Sequence, residues 1–494
     1  MPNVTEITTM CRNGQVQEAY ELAKEGLAME PTSQWAQRAL GWTLYYLIKG
    51  DAGKGDFDRL IVHFDELRSL ELLTIENDSM IFDNVQWQIA QLIRNYFNPE
   101  DWSSTNRLSN IFERLRDYNF NPSKGHSILL QSFIKFNNWQ EMANFIDWWD
   151  LDKLTPEDFT PFVMENGRNI MTLAERAYIA QSKALLRLND TERIRLFLPK
   201  IEKLMNQHGE MTYPGYFYGK LLIKLGNNNN EALRFVIPFA RRKASEFWVW
   251  QMLSELFQND EEKQLACLLR AVHCRTEENF LVKIRIKLAQ LYITRGELNK
   301  ARYHIDTAVR CYSEQGWRLP NEIDDWIHQP WLNQTTPDGN DPINYRSITD
   351  EFLCEGAEEC IAVVTYVNPN NQRCSMIYGI KKQMSQRLPI RVSAGDVIKL
   401  RYVTDRENHV NILSANKTSL PDGLRYAKTV EGTISKRNGQ DFASLKTDSI
   451  NCFIAPNIVN KFALSNNDHV KGIAVYDYNK RKKTWNWVCV NIKR

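Results

Sequence analysis

Cys360-Ile361-Ala362-Val363-Val364-Thr365-Tyr366 is the stretch at which the hydrophobic pattern of this 494-residue chain changes. Before it, apolar side chains recur every three to four residues, which is the period of amphipathic helices. From this stretch onward they recur every second residue, as in β-strands with one buried face. The change predicts an α+β protein in which a helical region precedes a β-rich region. A chain of this length exceeds what one hydrophobic core supports, so several domains are expected.

The β-rich region contains two series of strands that resemble copies of each other. The first series is predicted at 360–366, 374–380 and 397–403, and the second at 429–436, 442–445, 451–455, 470–476 and 484–492. Asp396 and Lys399 match Asp468 and Lys471, and the two matched pairs share one offset along the chain. Short strands separated by turns, in two copies, predict two small antiparallel β-barrels at 357–424 and 425–494.

Charge is distributed unevenly along the chain. Residues 357–494 contain 22 Lys+Arg and 11 Asp+Glu, a net of +11, whereas the residues before Ala357 contain 40 and 49, a net of −9. Such asymmetry indicates that the basic part meets a polyanion.

A basic turn near the C-terminus, Asn479-Lys480-Arg481-Lys482-Lys483, leads into Trp485 and Trp487, which lie on one face of the final strand. Cations beside aromatic rings suit single-stranded nucleic acid, because the cations meet phosphates and the rings stack on bases. The alternative is that the tryptophans are core residues and the lysines form a solvated hairpin tip.

Three stretches of the second copy resemble a cold-shock domain, a member of the OB-fold class: Gly432-Thr433-Ile434-Ser435-Lys436, Gly439-Gln440-Asp441-Phe442-Ala443 and Cys452-Phe453-Ile454-Ala455-Pro456. The resemblance implies that Lys436, Phe442 and Phe453 contact phosphates and stack bases, with RNA favoured over single-stranded DNA. The family's aromatic pair on strand one is absent, and its Gly-Phe-Gly-Phe run is reduced to Phe442, which predicts weaker stacking. The predicted nucleic-acid site comprises Lys436, Arg437, Phe442, Phe453, Lys471, Lys480, Arg481, Lys482, Lys483, Trp485 and Trp487.

Residues 1–318 are predicted to form helices separated by short polar or Gly-containing turns. In the clearest unit, 280–315, apolar residues of different size lie on two helices around a turn at Gly296, namely Leu288, Ala289, Tyr292, Ala301, Ile305 and Ala308. This unit resembles a tetratricopeptide repeat, and the spacing of Gly226 and Gly296 is close to two periods of about 34 residues. The resemblance implies an α-solenoid whose concave surface holds a partner protein. The alternatives are a spacer and, for 51–210, a non-repeating bundle.

The composition shifts at residues 319–356, where Pro320, Pro330, Pro337, Pro342 and Gly339 interrupt the helical period. Pro and Gly break helices, so this segment is predicted to be a linker or an extended wrap along the last repeat. Two tryptophans at positions 326 and 331 argue against disorder, because they gain by packing. A short helix is expected at 344–355.

No catalytic motif is present, so the protein is predicted to be non-enzymatic, without cofactor or metal. Gly50-Asp51-Ala52-Gly53-Lys54-Gly55 lacks the Walker spacing, and Cys267, His273, Cys274 and Cys311 lack the paired short spacings of a zinc site. The nine scattered cysteines, the missing signal-peptide pattern and the missing long apolar stretch predict a cytoplasmic protein with no membrane partner.

Together these features predict an adaptor that binds RNA or single-stranded DNA through its barrels and a partner protein through its helices. The architecture, including the stretch from Trp35 to Trp42, resembles helical-repeat plus cold-shock-type proteins of bacterial mobile-element and antiviral defence loci. Two alternatives are a purely protein-binding scaffold and an enzyme or effector with an unrecognised site.

Overall fold

The computed structural model describes residues 3–164, 169–226, 230–342, 344–404, 410–479 and 483–493. Helices followed by β-sheets confirm the α+β class. The chain divides into two units, Met1–Phe239 with Glu255–Asn259 and Ala240–Ser254 with Asp260–Arg494. Within the described ranges, no helix is long and apolar enough to cross a membrane.

Several helices of the first unit start with a polar side chain that caps the helix. Asn3, Ser33, Asp56, Asp101 and Ser123 each accept a hydrogen bond from a backbone N–H of the first helical turn, which satisfies donors that the helix leaves free. The helices are α1 (Val4–Arg12), α2 (Val16–Met29), α3 (Gln34–Lys54), α4 (Phe57–Arg68), α5 (Ser79–Tyr96), α6 (Trp102–Leu115), α7 (Lys124–Phe133), α8 (Met142–Trp149), α9 (Leu173–Leu188), α10 (Thr191–Gln207) and α11 (Pro214–Leu225). Two 3₁₀ turns (Leu151–Lys153, Pro156–Phe159) and the strands β1 (Phe162–Val163) and β2 (Asn169–Ile170) join α8 to α9.

These helices form a stack of pairs, because each odd-numbered helix from α1 to α9 contacts the next odd-numbered one. One hydrophobic core runs through the stack from Ile7 to Leu222. Successive odd-numbered helices start at Gln34, Ser79, Lys124 and Leu173, so each interval is longer than the roughly 34 residues of a tetratricopeptide repeat. The tetratricopeptide identity therefore stays a prediction.

His126 lies in the aromatic core of this stack, with 1% of its surface exposed. Its ring stacks on Trp149 with centroids 4.4 Å apart, and Nε2 lies 3.3 Å from the Trp149 carbonyl oxygen. Nδ1 lies 2.9 Å from Oε1 of Gln86. Burial lowers the pKa of His126 to about 4, because desolvation disfavours the imidazolium form.

The stability of the first unit is therefore expected to fall as the pH drops from 6.5 towards 4. In the unfolded chain the imidazole titrates near pH 6.5, so in this window the unfolded state binds a proton that the native state excludes. At pH 5 this residue is expected to lower the free energy of unfolding by about 2 kcal/mol relative to pH 7. Urea unfolding at both pH values measures the change, and His126→Phe should show a smaller difference. An equal difference in both proteins would contradict the assignment.

Five further helices lie at the junction and in the second unit: α12 (Asn230–Arg242), α13 (Phe247–Leu256), α14 (Glu261–Val272), α15 (Glu278–Thr294) and α16 (Leu298–Gln315). The helix pair predicted at 280–315 is confirmed as α15 and α16, with Gly296 at φ 74° in the turn between them. The apolar residues that predicted this pair are 0–1% exposed, so they form the contact between the two helices.

Residues 319–339 pack along α16, and the short helix that follows them packs on α14. The segment 319–356 contains α17 (Asn321–Ile327), α18 (Pro330–Asn333) and α19 (Tyr345–Leu353). Ile323 is fully buried, and Trp326 and Trp331 pack against the same hydrophobic cluster as Ile305. The Asp338 N–H donates to the Asn299 carbonyl at 3.0 Å, which fixes the segment to the helix.

A five-stranded antiparallel sheet follows, in the order β5-β4-β3-β6-β7. Its strands are β3 (Glu358–Val367), β4 (Arg373–Gly379), β5 (Lys382–Arg387), β6 (Val397–Thr404) and β7 (Val410–Lys417). Among the described residues β5 and β7 do not pair, so this copy is an open sheet where a closed barrel was expected. The strands β5 and β7 were not predicted, because β5 has a single apolar residue and the apolar residues of β7 do not strictly alternate with polar ones.

The second copy is a closed barrel with the strand order β10-β12-β11-β8-β9. Its elements are β8 (Ala427–Ser435), β9 (Ala443–Lys446), β10 (Asn451–Ile454), α20 (Pro456–Lys461), β11 (His469–Asn479) and β12 (Thr484–Lys493). The strands pair antiparallel except β10 with β12, which run parallel, so the expectation of a wholly antiparallel barrel was wrong for this pair. The parallel pair closes the barrel around a core that includes Leu445, Ile454 and Cys489.

The constant offset between the two copies corresponds to one turn that occurs in both. The Ser393 N–H donates to the Asp396 carboxylate at 2.8 Å, and the Ser465 N–H donates to the Asp468 carboxylate at 2.9 Å. The first strand of each copy bonds to this turn in the same way, because the Asp396 carbonyl accepts from the N–H of Val364 on β3 and the Asp468 carbonyl accepts from that of Ile434 on β8. The two copies therefore share a backbone arrangement at the start of their fourth strands.

The open sheet and the barrel pack against each other through an apolar cluster. Val363, Ile377 and Val397 of the sheet meet Ala427, Val475 and Val490 of the barrel, and all six are buried. The Tyr426 hydroxyl donates to the Ile361 carbonyl at 2.7 Å across this contact. A fixed contact of this kind makes the two copies one β module.

Candidate nucleic-acid interface

Two phenylalanines form an exposed pair on the outer face of the barrel. Phe442 precedes β9 and Phe453 lies on β10, and their ring centroids are 5.7 Å apart. Phe453 pairs with Ser444 in register, while its neighbours Cys452 and Ile454 point into the core, so Phe453 faces outward. The exposed fractions are 37% and 40%, which leaves both rings open to stack on bases.

Loops lie at both ends of this face. The loop from residue 436 to 442 enters β9 beside the Phe pair, and it contains Lys436 and Arg437. The loop between β11 and β12 lies at the opposite end, because β12 runs parallel to β10 and begins before it in register. Its Lys483 is exposed, whereas the predicted site residues Lys480, Arg481 and Lys482 lie outside the described residues.

Lys436 and Lys471 make contacts within the barrel. The Lys436 ammonium donates to the Leu464 carbonyl at 3.4 Å, and its backbone N–H donates to the Asn466 side chain at 3.0 Å. Lys471 forms an ion pair of 3.5 Å with Glu431 on β8. The hydrogen bond with His469 lowers the pKa of Glu431, and the positive charge of Lys471 lowers it further. Lys471 pairs with Lys493 on β12. The β12 residue that neighbours Phe453 is Val488, five residues before Lys493, so the structure does not bring Lys471 to the Phe pair.

Trp485 and Trp487 belong to a separate aromatic cluster. Both lie on the same side of β12 as the buried Cys489, so they share one face, as predicted, but it is the inner face. Trp487 packs partly buried at the edge of the core, and Trp485 stacks on Tyr476 with centroids 5.9 Å apart. The structure therefore brings Phe442 and Phe453 together and places the two tryptophans apart from them.

Two lysines next to these aromatic groups were missed by the sequence reasoning. Lys446 is exposed on β9, two residues from Ser444 on the outer face, so it follows the Phe pair along the strand. The Lys428 ammonium lies 5.4 Å from the Trp487 ring centroid in a cation–π contact. The alternation Ala443-Ser444-Leu445-Lys446 carried the signal for Lys446, because Ala443 and Leu445 are buried.

The Gly-rich stretch 50–55 and the group of Cys and His residues in the helical region take structural positions. Gly50 and Gly53 lie within α3, and Gly55 ends that helix at φ 74° against the Tyr96 ring. His273 forms a 3.1 Å contact with Asp341, and Cys311 packs in the cluster of α15 and α16. Across the described ranges, no group of three or more His, Cys, Asp or Glu side chains has the arrangement of a metal site.

The closed five-stranded barrel, the helix before its fourth strand and the exposed aromatic pair define the C-terminal domain as OB-type and cold-shock-like. Residues 428–492 match the family described as S1/CSD-like domain 2 of the TOTE conflict systems. Residues 212–351 match a family described as a domain of unknown function, DUF7017. A comparison with curated proteins gives no match.

Proposed function

We propose that the protein binds single-stranded nucleic acid, with RNA preferred, on the outer face of β9 and β10 and on the two loops that flank it. The exposed pair of Phe442 and Phe453 carries the proposal. In OB-type barrels, oligonucleotides bind to the face of the second and third strands and to these same two loops. Residues 425–494 hold 13 Lys+Arg and 5 Asp+Glu, a net of +8, so most of the basic excess lies in the copy with the aromatic pair.

We further propose that the protein is a cytoplasmic adaptor of a conflict or defence system and performs no catalytic step. The match of its barrel to a TOTE-system domain supports this setting. The helical unit exposes Trp102 at 80% and Trp35 at 67%. Tryptophan is enriched among the residues that dominate protein interfaces, so we propose these two positions for contact with a partner protein. Replacing Trp35 and Trp102 with alanine is expected to release that partner without changing the affinity for RNA.

Binding of the full-length protein to single-stranded RNA is expected to be micromolar or tighter and to weaken steeply with salt. Each neutralised phosphate contributes about −0.7 to the slope of log K against log salt, so four contacts give about 50-fold weaker binding between 50 and 200 mM salt. Fluorescence anisotropy with RNA and DNA oligomers of one sequence measures both the slope and the preference. Lys480→Glu with Lys482→Glu is expected to reduce the slope, because the basic stretch 480–483 follows β11 and precedes β12 in the sequence.

The same titrations separate the alternatives. No binding at 50 mM salt would contradict the proposal and favour a scaffold that meets only proteins. Binding with a slope near zero would contradict the phosphate contacts. An enzyme would instead show turnover of the bound oligomer, which gel electrophoresis of the RNA after incubation detects.

A further inference from the structure

Three residues of the open sheet lie side by side across its strands, at the positions equivalent to the barrel row that contains Phe453. Tyr366 pairs with Ser375, which pairs with Ser385, across β3, β4 and β5. In the barrel, Ser435 pairs with Ser444, which pairs with Phe453. Tyr366 precedes Ser435 along the chain by the same interval as Ser375 precedes Ser444, so the two rows occupy equivalent places in the two copies.

This row faces outward and is open to solvent. Cys374 and Met376 on β4 belong to the core of the sheet, so Ser375 between them points to the outer face, and its partner Tyr366 lies on that face too. A bulge at residue 365 restores this register beyond Val364. Tyr366 is 52% exposed, so its ring is available for stacking.

Two arginines flank this ring on the same face. Arg373 pairs with Arg387 in register. This pair lies two residues along the strands from the row of Tyr366, and the two rows are roughly 7 Å apart. Arg373 donates to the Ser385 carbonyl at 2.6 Å, and Arg387 donates to the Asn371 carbonyl at 2.8 Å. Both are exposed, and among the described residues neither forms an ion pair with a carboxylate. Backbone carbonyls thus hold two like charges side by side, which an anion would stabilise.

The other side of the row adjoins the barrel. Val363 and Ile377, the next outward pair, are buried against Val475 of β11. Gln383 on β5 donates to the Asp477 carboxylate on β11, close to the loop that leads into β12. The row of Tyr366 therefore lies beside β11, which β8 separates from β9 and β12 separates from β10.

We infer that the open sheet holds a second subsite for the same nucleic-acid strand, in which Tyr366 stacks on a base and Arg373 and Arg387 contact phosphates. The inference rests on the proposed function of the barrel. It assigns the first copy a part of the surface that binds the nucleic acid. The stacking aromatic residue lies on the first strand of this copy, whereas the barrel has one on its third strand. The strand then spans both copies, so oligomer length decides whether the subsite is used.

Oligomer length tests the subsite in the full-length protein. A single OB-type barrel covers about 4 to 16 nucleotides, so a 5-mer of RNA fills the barrel and a 20-mer reaches the sheet. Tyr366→Ala is expected to weaken the 20-mer about 10-fold and to leave the 5-mer within about 2-fold. Arg373→Gln with Arg387→Gln is expected to reduce the salt slope for the 20-mer by about 1.4. Arg391→Gln with Lys399→Gln removes the same charge from the β5–β6 loop and from β6, and its slope should change less.

The outcomes distinguish the subsite from the function of the barrel. If Phe453→Ala weakens the 20-mer while the Tyr366 and arginine variants bind like the parent protein, the second subsite is overturned and the barrel function stands. If the parent protein binds neither oligomer, both are overturned. Thermal unfolding of the Tyr366 variant is expected to match the parent, because an exposed ring contributes little to the core.

Discussion

Replacing Phe442 and Phe453 together with alanine is expected to weaken the binding of single-stranded RNA by about 100-fold. Stacking of a base on an aromatic side chain contributes about 1–3 kcal/mol, so losing two platforms costs roughly 2.7 kcal/mol. The salt slope should stay unchanged, because the rings neutralise no phosphate. Anisotropy titrations of the full-length protein at several salt concentrations measure both quantities.

Phe280→Ala is the matched control, because Phe280 is a phenylalanine on helix α15 with 58% of its surface exposed. It is expected to bind RNA like the parent protein. If the double variant binds normally and Trp485→Ala does not, the bases stack on the cluster of Trp485 and Tyr476 instead. That result would move the ligand from the outer face of β9 and β10 to the β11–β12 hairpin.

Local signals in the sequence were sufficient for the elements with a clear period. Gly296 between two apolar-patterned segments predicted α15 and α16, and the repeated Asp396 and Asp468 predicted two copies, which share a turn at these residues in the structure. These features depend on neighbours in the chain, which the sequence displays directly. The strand β5 lacks such a local signal and was missed. Of Lys382 to Arg387, only Met384 is apolar, so no alternation of apolar and polar residues is visible.

The candidate site was only partly predictable, because its geometry depends on strand register. The sequence places Phe442 and Phe453 on neighbouring strands, but only the pairing of Ser444 with Phe453 shows that both rings share the outer face. The sequence shows that Trp485 and Trp487 lie on one face of β12 and that Val488 lies on the other. Which of these two faces is inward follows from the closure of β12 on β10. The contact of Lys436 with the Leu464 carbonyl joins residues 28 positions apart, which no local pattern indicates.

Gly432→Ala is expected to open the barrel and remove nucleic-acid binding. A Cβ at this position would lie 2.1 Å from the carbonyl oxygen of Lys446 and 2.9 Å from its carbonyl carbon. The obstacle is the backbone of β9, which cannot rotate away as a side chain can, so β8 and β9 must separate. Strain of this kind costs about 3 kcal/mol, and the loss of β8–β9 pairing would also displace Phe442 at the start of β9.

Hydrogen–deuterium exchange of residues 427–479 and 483–493 measures the effect, since about 3 kcal/mol corresponds to protection reduced by about 150-fold. Gly423→Ala is the matched control: a Cβ there meets nothing within 4 Å, and only its φ of 82° is unfavourable, at a cost of about 1 kcal/mol. Protection in the Gly432 variant equal to that of the control would contradict the close approach of β8 and β9. Normal RNA affinity despite lost protection would show that the binding face of β9 and β10 does not depend on β8.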